Sequence, residues 1–411
     1  MIRVESLHKV FGPKPDEALR LLAEGRSKDE IREATGDVIG VQDVSFELKP
    51  GEFFVIMGLS GSGKSTLLRC INRLIAPTSG RVLLQTDDGE VDVAQAGPSE
   101  LRRLRQEHLA MVFQRFGLLP HRTVRDNVAY GLEVQRVGRA ERVRRADETL
   151  EMVGLGGWGG VLPAALSGGM QQRVGLARAL ATGAKVLLMD EPFSALDPLI
   201  KMQMQEEMIR LQRQLGRTII FITHDLDEAL RLGDRIAIMD DGRFVQVGAP
   251  EKIVTEPRTP YVADFVAHAD PTGVITAGTV AVPPEHPRVD ELRRDPGSRV
   301  LAHRTQADVE IEVADDGRVL GVRADGAGAE LVPIDTLLAE EAPTSRYRDR
   351  AAVVRADRTL RTLLAARNLC NLPVLVVDDE ERLVGFVTER EIIHAIIEKR
   401  GHNGDANGVT A

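Results

Sequence analysis

The stretch GLSGSGKST, from Gly58 to Thr66, decides the fold. It contains a glycine, four residues and then Gly-Lys-Ser, and it follows the apolar run FFVIM, which is typical of a buried strand. Glycines at 58, 61 and 63 let consecutive backbone amides turn towards a phosphate, and a helix starting near Lys64 directs its positive end at the same anion. This order of strand, loop and helix predicts a phosphate-binding loop in an α/β protein. The alternative is a tight glycine-rich turn without a ligand.

Two acidic residues follow a second apolar run, VLLM at 186–189. Asp190 and Glu191 would thus lie at the carboxyl end of a buried strand, where open parallel sheets bind their ligands. In such a site Lys64 reaches the β- and γ-phosphates of a nucleotide, and Ser65 offers its hydroxyl to Mg²⁺. We expect Asp190 to hold Mg²⁺ through water and Glu191 to orient and polarise the attacking water. Taken alone, Asp-Glu-Pro could simply end a strand.

The sequence LSGGMQQR, at 166–173, is the signature of the ATP-binding cassette (ABC) family, and residues 1–270 resemble that family throughout. Gln114 resembles the family's Q-loop, SALD at 194–197 its D-loop and His224 its switch histidine. The resemblance implies an α/β cassette ATPase with a parallel-sheet core, an N-terminal β region and a helical subdomain.

The resemblance also implies roles for single residues. Ser167, Gly168 and Gly169 would contact the γ-phosphate bound to a second subunit, so that a homodimer shares each site. Phe11 would stack on adenine, with a core phenylalanine as the alternative, and His224 would contact the γ-phosphate, with a packed or capping histidine as the alternative. The implied catalytic residues are Glu191, His224 and Gln114, and the implied Mg²⁺ ligands are Ser65, Gln114 and Asp190. The residues implied to bind ATP are Phe11, Gly58, Ser60, Gly61, Ser62, Gly63, Lys64, Ser65, Thr66, Ser167, Gly168, Gly169 and Asp197.

Three sequence runs and an insertion narrow the resemblance. The chain is similar to the ATP-binding subunits of quaternary-amine osmolyte importers in the runs MGLSGSGKST, FSALDPLI at 193–200 and RLGDRIAIMDDG, and in the extra chain between Phe11 and Gly58. That family imports glycine betaine, proline betaine, choline or carnitine. In the insertion, a cap at Asp16 and a capping box of Ser27 and Glu30 predict ordered helices.

The importer resemblance implies partners and a location. We expect integral-membrane permease subunits, a solute-binding protein or domain, and a peripheral position on the cytoplasmic face of the cell membrane. Three alternatives stay open: import of another small solute such as an amino acid, a cassette ATPase without a permease, and a protein that serves mainly as a nucleotide sensor.

Composition agrees with such a subunit. A net charge of -9 argues against a nucleic-acid partner, and the basic runs at 101–105 and 142–145 are typical of solvated helix faces. Cys70 and Cys370 give neither zinc-ligand spacing nor a disulfide framework, which favours a reducing cytoplasm. The longest uncharged stretch, 153–172, is rich in glycine, so we expect no spanning helix.

The order of apolar runs predicts how the chain is organised. Runs of strand and helix character alternate up to about residue 270, as in a parallel α/β sheet, whereas 116–165 is helical and loop-rich. Within this helical subdomain we expect the loop at 116–127 to contact the permease. A passive surface loop is the alternative.

Past residue 270 the character changes. After a Pro-rich linker at 281–298, EIEVADDGRVLGV and VLVVDDEERLVGF each predict strand, Asp-rich turn and strand, followed by a helix. The pair resembles tandem CBS modules, a smaller α+β region at 272–398 whose first unit diverges, before a disordered tail at 399–411. Such modules imply an adenine nucleotide or cyclic dinucleotide as ligand, or ionic-strength sensing without one. Thr388 and Glu391 would bind the ribose or, alternatively, form a plain capping box.

Overall fold

The computed structural model describes residues 1–114, 117–194, 196–267, 269–303, 306–339 and 350–401. The chain divides into two compact units, the first formed by Met1–Ile253 and Pro257–Val262 and the second by Val254–Glu256 and Ala263–Ala411. Phe116 of the predicted permease loop, Ala195 of the D-loop and most of the predicted tail lie outside the described residues.

The first unit contains all the motifs predicted for the ATP site. Its strands are β1 (Ile2–Phe11), β2 (Val38–Leu48), β3 (Phe53–Met57), β4 (Ser79–Thr86), β5 (Gly89–Asp92), β6 (Leu109–Val112), β7 (Val186–Asp190), β8 (Thr218–Thr223), β9 (Arg235–Asp240) and β10 (Arg243–Gly248). Its helices are α1 (Pro15–Ala23), α2 (Lys28–Thr35), α3 (Lys64–Ile71), α4 (Pro98–Glu107), α5 (Val124–Val134), α6 (Arg139–Met152), α7 (Gly168–Ala181), α8 (Pro198–Leu215) and α9 (Leu226–Leu232), and α10 (Pro250–Thr255) and α11 (Pro260–Val266) span the division between the units.

A six-stranded sheet forms the centre of this unit, in the order β10-β9-β3-β8-β7-β6. Its strands run parallel except β10, which pairs antiparallel with β9. Every residue of β3, β7 and β8 is buried, as their continuous apolar sequences predict. The predicted parallel α/β core is confirmed, and the carboxyl ends of β3, β7 and β8 meet at one edge of the sheet.

A four-stranded antiparallel sheet, β2-β1-β4-β5, packs on the same core. Phe46 of β2 stacks on Phe54 of β3 with ring centroids 5.1 Å apart, which joins the two sheets. The insertion between β1 and β2 forms α1 and α2, and the capping box of Ser27 and Glu30 is confirmed. The predicted cap at Asp16 is wrong: α1 begins at Pro15, because proline has a fixed φ and lacks the amide that a cap would satisfy.

The helical subdomain comprises α5, α6 and a 3₁₀ turn at Pro163–Ala165. Its loop is shorter than the predicted 116–127. Thr123 accepts the amide of Asp126 and caps α5 at Val124, so the loop ends at Thr123.

The second unit is built on a mixed eight-stranded sheet with consecutive strands adjacent. Its strands are β11 (Val289–Asp295), β12 (Ser298–His303), β13 (Gln306–Ala314), β14 (Val319–Ala324), β15 (Ala327–Pro333), β16 (Arg350–Arg355), β17 (Val374–Val377) and β18 (Leu383–Val387). Its helices are α12 (Ala277–Val280), α13 (Ile334–Ala339), α14 (Leu360–Leu369) and α15 (Glu389–Gly401), with a 3₁₀ turn at Pro271–Gly273.

The structure corrects two expectations for this unit. The predicted linker contains β11, because strand pairing with β12 overrides its charged composition. Helix α15 continues to Gly401, beyond the predicted start of the tail at 399. The first module diverges as predicted: the strand β15 separates β14 from α13, whereas the second module has the order β16, α14, β17, β18, α15.

In each Asp-rich turn an arginine contacts a preceding aspartate, two residues back in the first turn and four residues back in the second. The Nε atom of Arg318 donates to Asp316 at 2.8 Å, and that of Arg382 donates to Asp378 at the same distance. A bridge between Arg318 and Arg382 joins the turns. Within the ranges that the structure describes, no helix is long and apolar enough to span a bilayer.

Candidate nucleotide site

The phosphate-loop glycines occupy positions that a side chain could not share. The backbone φ is +152° at Gly58 and +100° at Gly63, in the region that favours glycine. A Cβ on Gly58 would lie 2.0 Å from the carbonyl oxygen of Met239, and one on Gly63 would lie 2.3 Å from that of Gly40. The loop therefore passes tightly against neighbouring backbone, and α3 begins directly after it at Lys64.

Lys64 is folded into this loop. Its Nζ donates to the carbonyl oxygens of Gly58, at 2.7 Å, and Leu59, at 2.8 Å. Burial lowers the pKa of Lys64, while the carboxylates of Glu191 and Asp190 act in the opposite direction. A buried ammonium gains strongly from an additional anionic partner, so the loop and Lys64 together form a cradle suited to a phosphate.

Asp190 ends β7 beside the start of α3. Its Oδ1 accepts the hydroxyl of Ser65 at 2.7 Å, and its Oδ2 lies 3.5 Å from Arg69. One hydroxyl and one carboxylate are the hard oxygen donors that Mg²⁺ takes in nucleotide sites, where phosphates and water complete its coordination. Among the described residues no cluster of three or more His, Cys, Asp or Glu side chains could hold a metal alone. These residues therefore fit a metal that arrives with a nucleotide.

Glu191, the residue after Asp190, has its backbone in the left-handed region, at φ +45°. This conformation costs a non-glycine residue of order 1–2 kcal/mol. The amide of Glu191 donates to the carbonyl oxygen of Ile222 at 3.1 Å, which anchors the turn to β8. Strained backbone of this kind persists only where the surrounding structure holds it in place, as the hydrogen bond to Ile222 does here.

The carboxylate of Glu191 is the point at which three predicted motifs meet. Its Oε2 accepts from Nε2 of Gln114 at 3.3 Å and, with the proton on Nδ1, from His224 at 3.2 Å. Its Oε1 accepts no hydrogen bond from the residues that the structure describes. One oxygen is thus fixed by the protein, and the other is left for a further hydrogen-bond partner such as water.

A partly buried ion-pair network lies next to His224. Lys201 of α8 contacts Asp225 (Nζ–Oδ2, 2.6 Å) and Glu228 (Nζ–Oε1, 2.8 Å). Glu228 is 3% exposed and also accepts the hydroxyl of Thr223. Because Thr223 and Asp225 flank His224 in the chain, the network fixes the backbone on both sides of it. Burial alone would lower the pKa of Lys201, but the hydrogen bonds and charges of the two carboxylates outweigh burial and raise that pKa.

Phe11 ends β1 and is 41% exposed. A Cβ on Gly40 would lie 2.8 Å from Cε2 of this ring, so one side of the phenylalanine rests on backbone. The ammonium of Lys9 lies 5.0 Å from the ring centroid. The exposure disfavours the core-phenylalanine interpretation.

The signature residues open α7. Ser167 caps the helix by accepting the amide of Met170 at 3.4 Å, and Gly168 and Gly169 form its first turn. Asp197 likewise caps α8 by accepting from Ile200. No hydrogen bond joins Ser167, Gly168 or Gly169 to the phosphate loop at 58–66 within the described part of the chain, so the structure does not bring these two motifs together in one subunit.

Three residues beside the site are not among those predicted from the sequence: Lys201, Glu228 and Tyr261. Tyr261 of α11 accepts the amide of Leu59, in the phosphate loop, at 3.3 Å. Lys201 and Glu228 each lie one helical turn beyond a predicted site residue, Asp197 and His224. That spacing marks each of the two residues but not the ion pair between them, and nothing in the sequence near Tyr261 points to the loop.

The proposed CBS residues lie in the second unit, and both are buried. The carboxylate Oε2 of Glu391 accepts the amide of Thr388 at 3.0 Å and also its hydroxyl, and Oε1 lies 3.5 Å from Arg288. The carboxylate of Glu391 is therefore hydrogen-bonded to Thr388, the residue before its own helix α15. This geometry matches the capping interpretation.

Comparison with known proteins agrees with the cassette geometry. The ABC transporter family matches residues 41–194. The glycine betaine transport ATP-binding protein OpuAA of Bacillus subtilis is 43% identical over 96% of this chain and 92% of its own length. The trimethylamine N-oxide transport system ATP-binding protein TmoW of Ruegeria pomeroyi is 51% identical over 68% of this chain and 81% of its own.

A solved structure extends the likeness to the fold. The dimeric, post-hydrolysis ATP-binding cassette MJ0796, bound to ADP and Pi, superposes with a TM-score of 0.51 at 31% identity, over 61% of this chain and 99% of the cassette. The phosphate loop, the signature and the convergence on Glu191 are thus set in a cassette fold. The chain therefore belongs to the family of ABC transporter ATP-binding subunits.

Proposed function

We propose that the protein is the ATP-hydrolysing subunit of a binding-protein-dependent importer for a quaternary-amine compatible solute such as glycine betaine or proline betaine. One observation supports this assignment of the transported solute. The similarity to a protein named for glycine betaine transport covers 96% of the chain and so includes the second unit.

The residues at the sheet edge support ATP as the ligand. Phe11 offers an exposed ring for adenine, Lys64 and the loop amides hold the β- and γ-phosphates, and Ser65 with Asp190 holds Mg²⁺. When bound, Mg²⁺ supplies charge neutralisation on the phosphates.

The chain's own catalytic contribution centres on Glu191. Gln114 and His224 fix its Oε2, so Oε1 receives a water proton and aims that water at the γ-phosphate. Because the carboxylate is already oriented, little reorganisation is needed at the moment of reaction.

A second copy of the chain completes each site. Ser167, Gly168 and Gly169 form a helix start suited to an anion, yet among the described residues no hydrogen bond joins them to the loop of their own subunit. A homodimer places them on the partner's γ-phosphate. The dimeric form of the related cassette supports this arrangement.

Permease subunits dock on the helical subdomain at the cytoplasmic face of the membrane. This subdomain exposes the apolar side chains of Tyr130, Val134, Trp158 and Leu162. Exposed apolar side chains suit contact with another protein. A solute-binding protein delivers the substrate outside, and no nucleic acid takes part.

The second unit controls transport through an adenine nucleotide, a cyclic dinucleotide or ionic strength. The engagement of Glu391 by Thr388 and Arg288 favours the ionic-strength route over a ribose site at these residues.

Trimethylamine N-oxide is a second candidate substrate, because the relative named for it is 51% identical over the region that it shares with this chain. Its match covers 68% of the chain, against 96% for the glycine betaine relative, which favours the betaine.

Uptake tests the proposal. Vesicles that hold this chain, its co-purifying permease and binding protein, with ATP inside, are given labelled glycine betaine, proline betaine, choline, carnitine, trimethylamine N-oxide or proline. We expect ATP-dependent uptake of a betaine at the lowest half-saturating concentration. Preference for proline or trimethylamine N-oxide would contradict the substrate assignment, and the absence of ATP-dependent uptake would contradict the transport function.

A further inference from the structure

The insertion between β1 and β2 is longer than the connection requires. Phe11 of β1 pairs with Val38 of β2, and paired antiparallel strands can be joined by two to five residues, yet residues 12–37 form two helices here. The proposed function assigns this insertion no role. Its contacts show where it acts.

Lys28 is the first residue of α2, directly after the cap Ser27. A cation is disfavoured at a helix N-terminus because the helix dipole is positive there. Contacts outside α2 offset this unfavourable interaction between the Lys28 charge and the helix dipole. Its Nζ donates to the carbonyl oxygens of Ile39, at 3.1 Å, and Asp241, at 2.5 Å, and lies 2.9 Å from Oδ1 of Asp241. The side chain of Lys28 is 20% exposed and that of Asp241 is 66% exposed, so the contact to Ile39 is the better shielded from water.

The contact of Lys28 with Ile39 leads to Phe11, the proposed stacking platform for adenine (the adenine platform). Ile39 precedes Gly40 in β2, and a Cβ on Gly40 would lie 2.8 Å from the ring of Phe11 and 3.4 Å from Cγ2 of Thr66. The carbonyl oxygen of Gly40 packs against Gly63 on the other side. This short backbone segment therefore lies between the proposed adenine platform and the phosphate loop.

The second contact leads to the phosphate loop. Asp241 and Gly242, at φ +44° and +77°, form the tight turn between β9 and β10. The amide of Gly242 donates to the carbonyl oxygen of Ser62 at 3.0 Å, and its own carbonyl accepts the amide of Gln42 at 2.9 Å. Lys28 thus ties the turn that supports Ser62 to the strand that supports Phe11.

We propose that the insertion is an ATP-affinity element and that Lys28 is a positioning residue for nucleotide binding. Lys28 holds the adenine platform and the phosphate loop in the relative position that ATP requires. A site that is ordered in advance loses less freedom on binding and binds more tightly. This inference rests on the proposed function, because it takes Phe11 as the adenine platform and 58–66 as the phosphate cradle.

The test is Mg-ATP binding to the full-length protein by calorimetry, together with steady-state hydrolysis. Lys28→Met keeps the length of the side chain and removes its charge-assisted hydrogen bonds. We expect Kd and KM for ATP to rise about three- to tenfold, with kcat changed less than about twofold. Lys28→Arg keeps the donors and should restore most of the affinity. Arg20→Met is the matched control, because the ion pair of Arg20 with Glu24 is exposed and joins only α1 to its own C-cap residue.

A purely structural role predicts a different pattern. It would lower kcat through loss of folded protein at unchanged Kd, and that result overturns the inference. Phe11→Ala separates the inference from the proposed function. If Lys28 acts through the platform, the effects of Lys28→Met and Phe11→Ala on ATP affinity are less than additive in the double variant.

Two further outcomes are distinct. Weaker ATP binding in Phe11→Ala with normal binding in Lys28→Met overturns this inference and leaves the proposed function standing. Normal ATP binding in both Phe11→Ala and Lys64→Ala overturns the proposed site and this inference with it.

Discussion

Replacing Lys201 by Met removes the cation from the network next to His224. The variant leaves Glu228, which is 3% exposed, beside Asp225 without the shared ammonium. Breaking a fully buried ion pair costs about 3–5 kcal/mol. Because the side chains of Lys201 and Asp225 are 22% and 34% exposed, we expect a loss of about 2–3 kcal/mol in the free energy of unfolding at pH 7. The loss should come with slower hydrolysis, because the loop of His224 is released.

The effect depends on pH in a defined direction. The pKa of Lys201 is raised, so its contribution is complete below the ordinary value of 10.5 and disappears as the pH rises through the higher folded value. For Asp225, burial alone would raise the pKa, but Lys201 and the amides of Glu228 and Asp227 lower it overall. That contribution is complete above the ordinary value of 3.8 and disappears as the pH falls through the lower folded value. Wild type and variant should differ most between these limits.

Urea unfolding checks the prediction. ATP stabilises the unit that binds it, so the transition that shifts to higher urea concentration when ATP is added reports the unfolding of the first unit. Lys185→Met is the control, because Lys185 also pairs with an aspartate, Asp87, but both side chains are more than half exposed. We expect a change within about 0.5 kcal/mol there. Adding Glu228→Gln to Lys201→Met should recover part of the loss. Equal stability of Lys201→Met and wild type would refute the reasoning.

The remaining predictions concern sharing of the site, the adenine platform and the second unit. Mixing Lys64→Ala with Ser167→Arg chains should restore some ATP hydrolysis, because one composite site of the heterodimer carries both lesions and the other neither; confirmed heterodimers as inactive as the parents would contradict this. Phe11→Ala should weaken ATP binding by about 1–3 kcal/mol in calorimetry, while Phe11→Trp retains it. Thr388→Ala should cost about 0.5–2 kcal/mol in the unfolding of the second unit and leave the salt response of transport intact, whereas loss of a nucleotide response would favour a ribose site.

The elements around the site could be predicted because their sequences are locally consistent. β3, β7 and β8 are continuous apolar runs, and each is followed by polar or glycine residues that end it at the same sheet edge. Parallel strands then bring Gly58, Asp190 and His224 together wherever they lie in the chain. The motif residues followed from the sequence for this reason.

Contacts between distant side chains could not be predicted in the same way. The ion pair of Lys201 with Glu228 and the tie from Lys28 to Asp241 depend on how helices pack, which no local pattern specifies. Strand β11 lies in a Pro-rich, charged segment whose pairing with β12 decides its conformation. The positive φ of Glu191 is likewise set by its anchor to Ile222 rather than by its residue type.

The most direct test of the central claim is the Glu191→Gln variant, studied in the same vesicles as wild type with ATP binding, ATP hydrolysis and betaine uptake measured together. The phosphate cradle is untouched, so ATP affinity should be unchanged and the ATP-bound dimer should accumulate. Hydrolysis and uptake should both fall by about 10²–10⁴-fold, because the water loses its orienting carboxylate. Near-normal hydrolysis in Glu191→Gln would contradict the account.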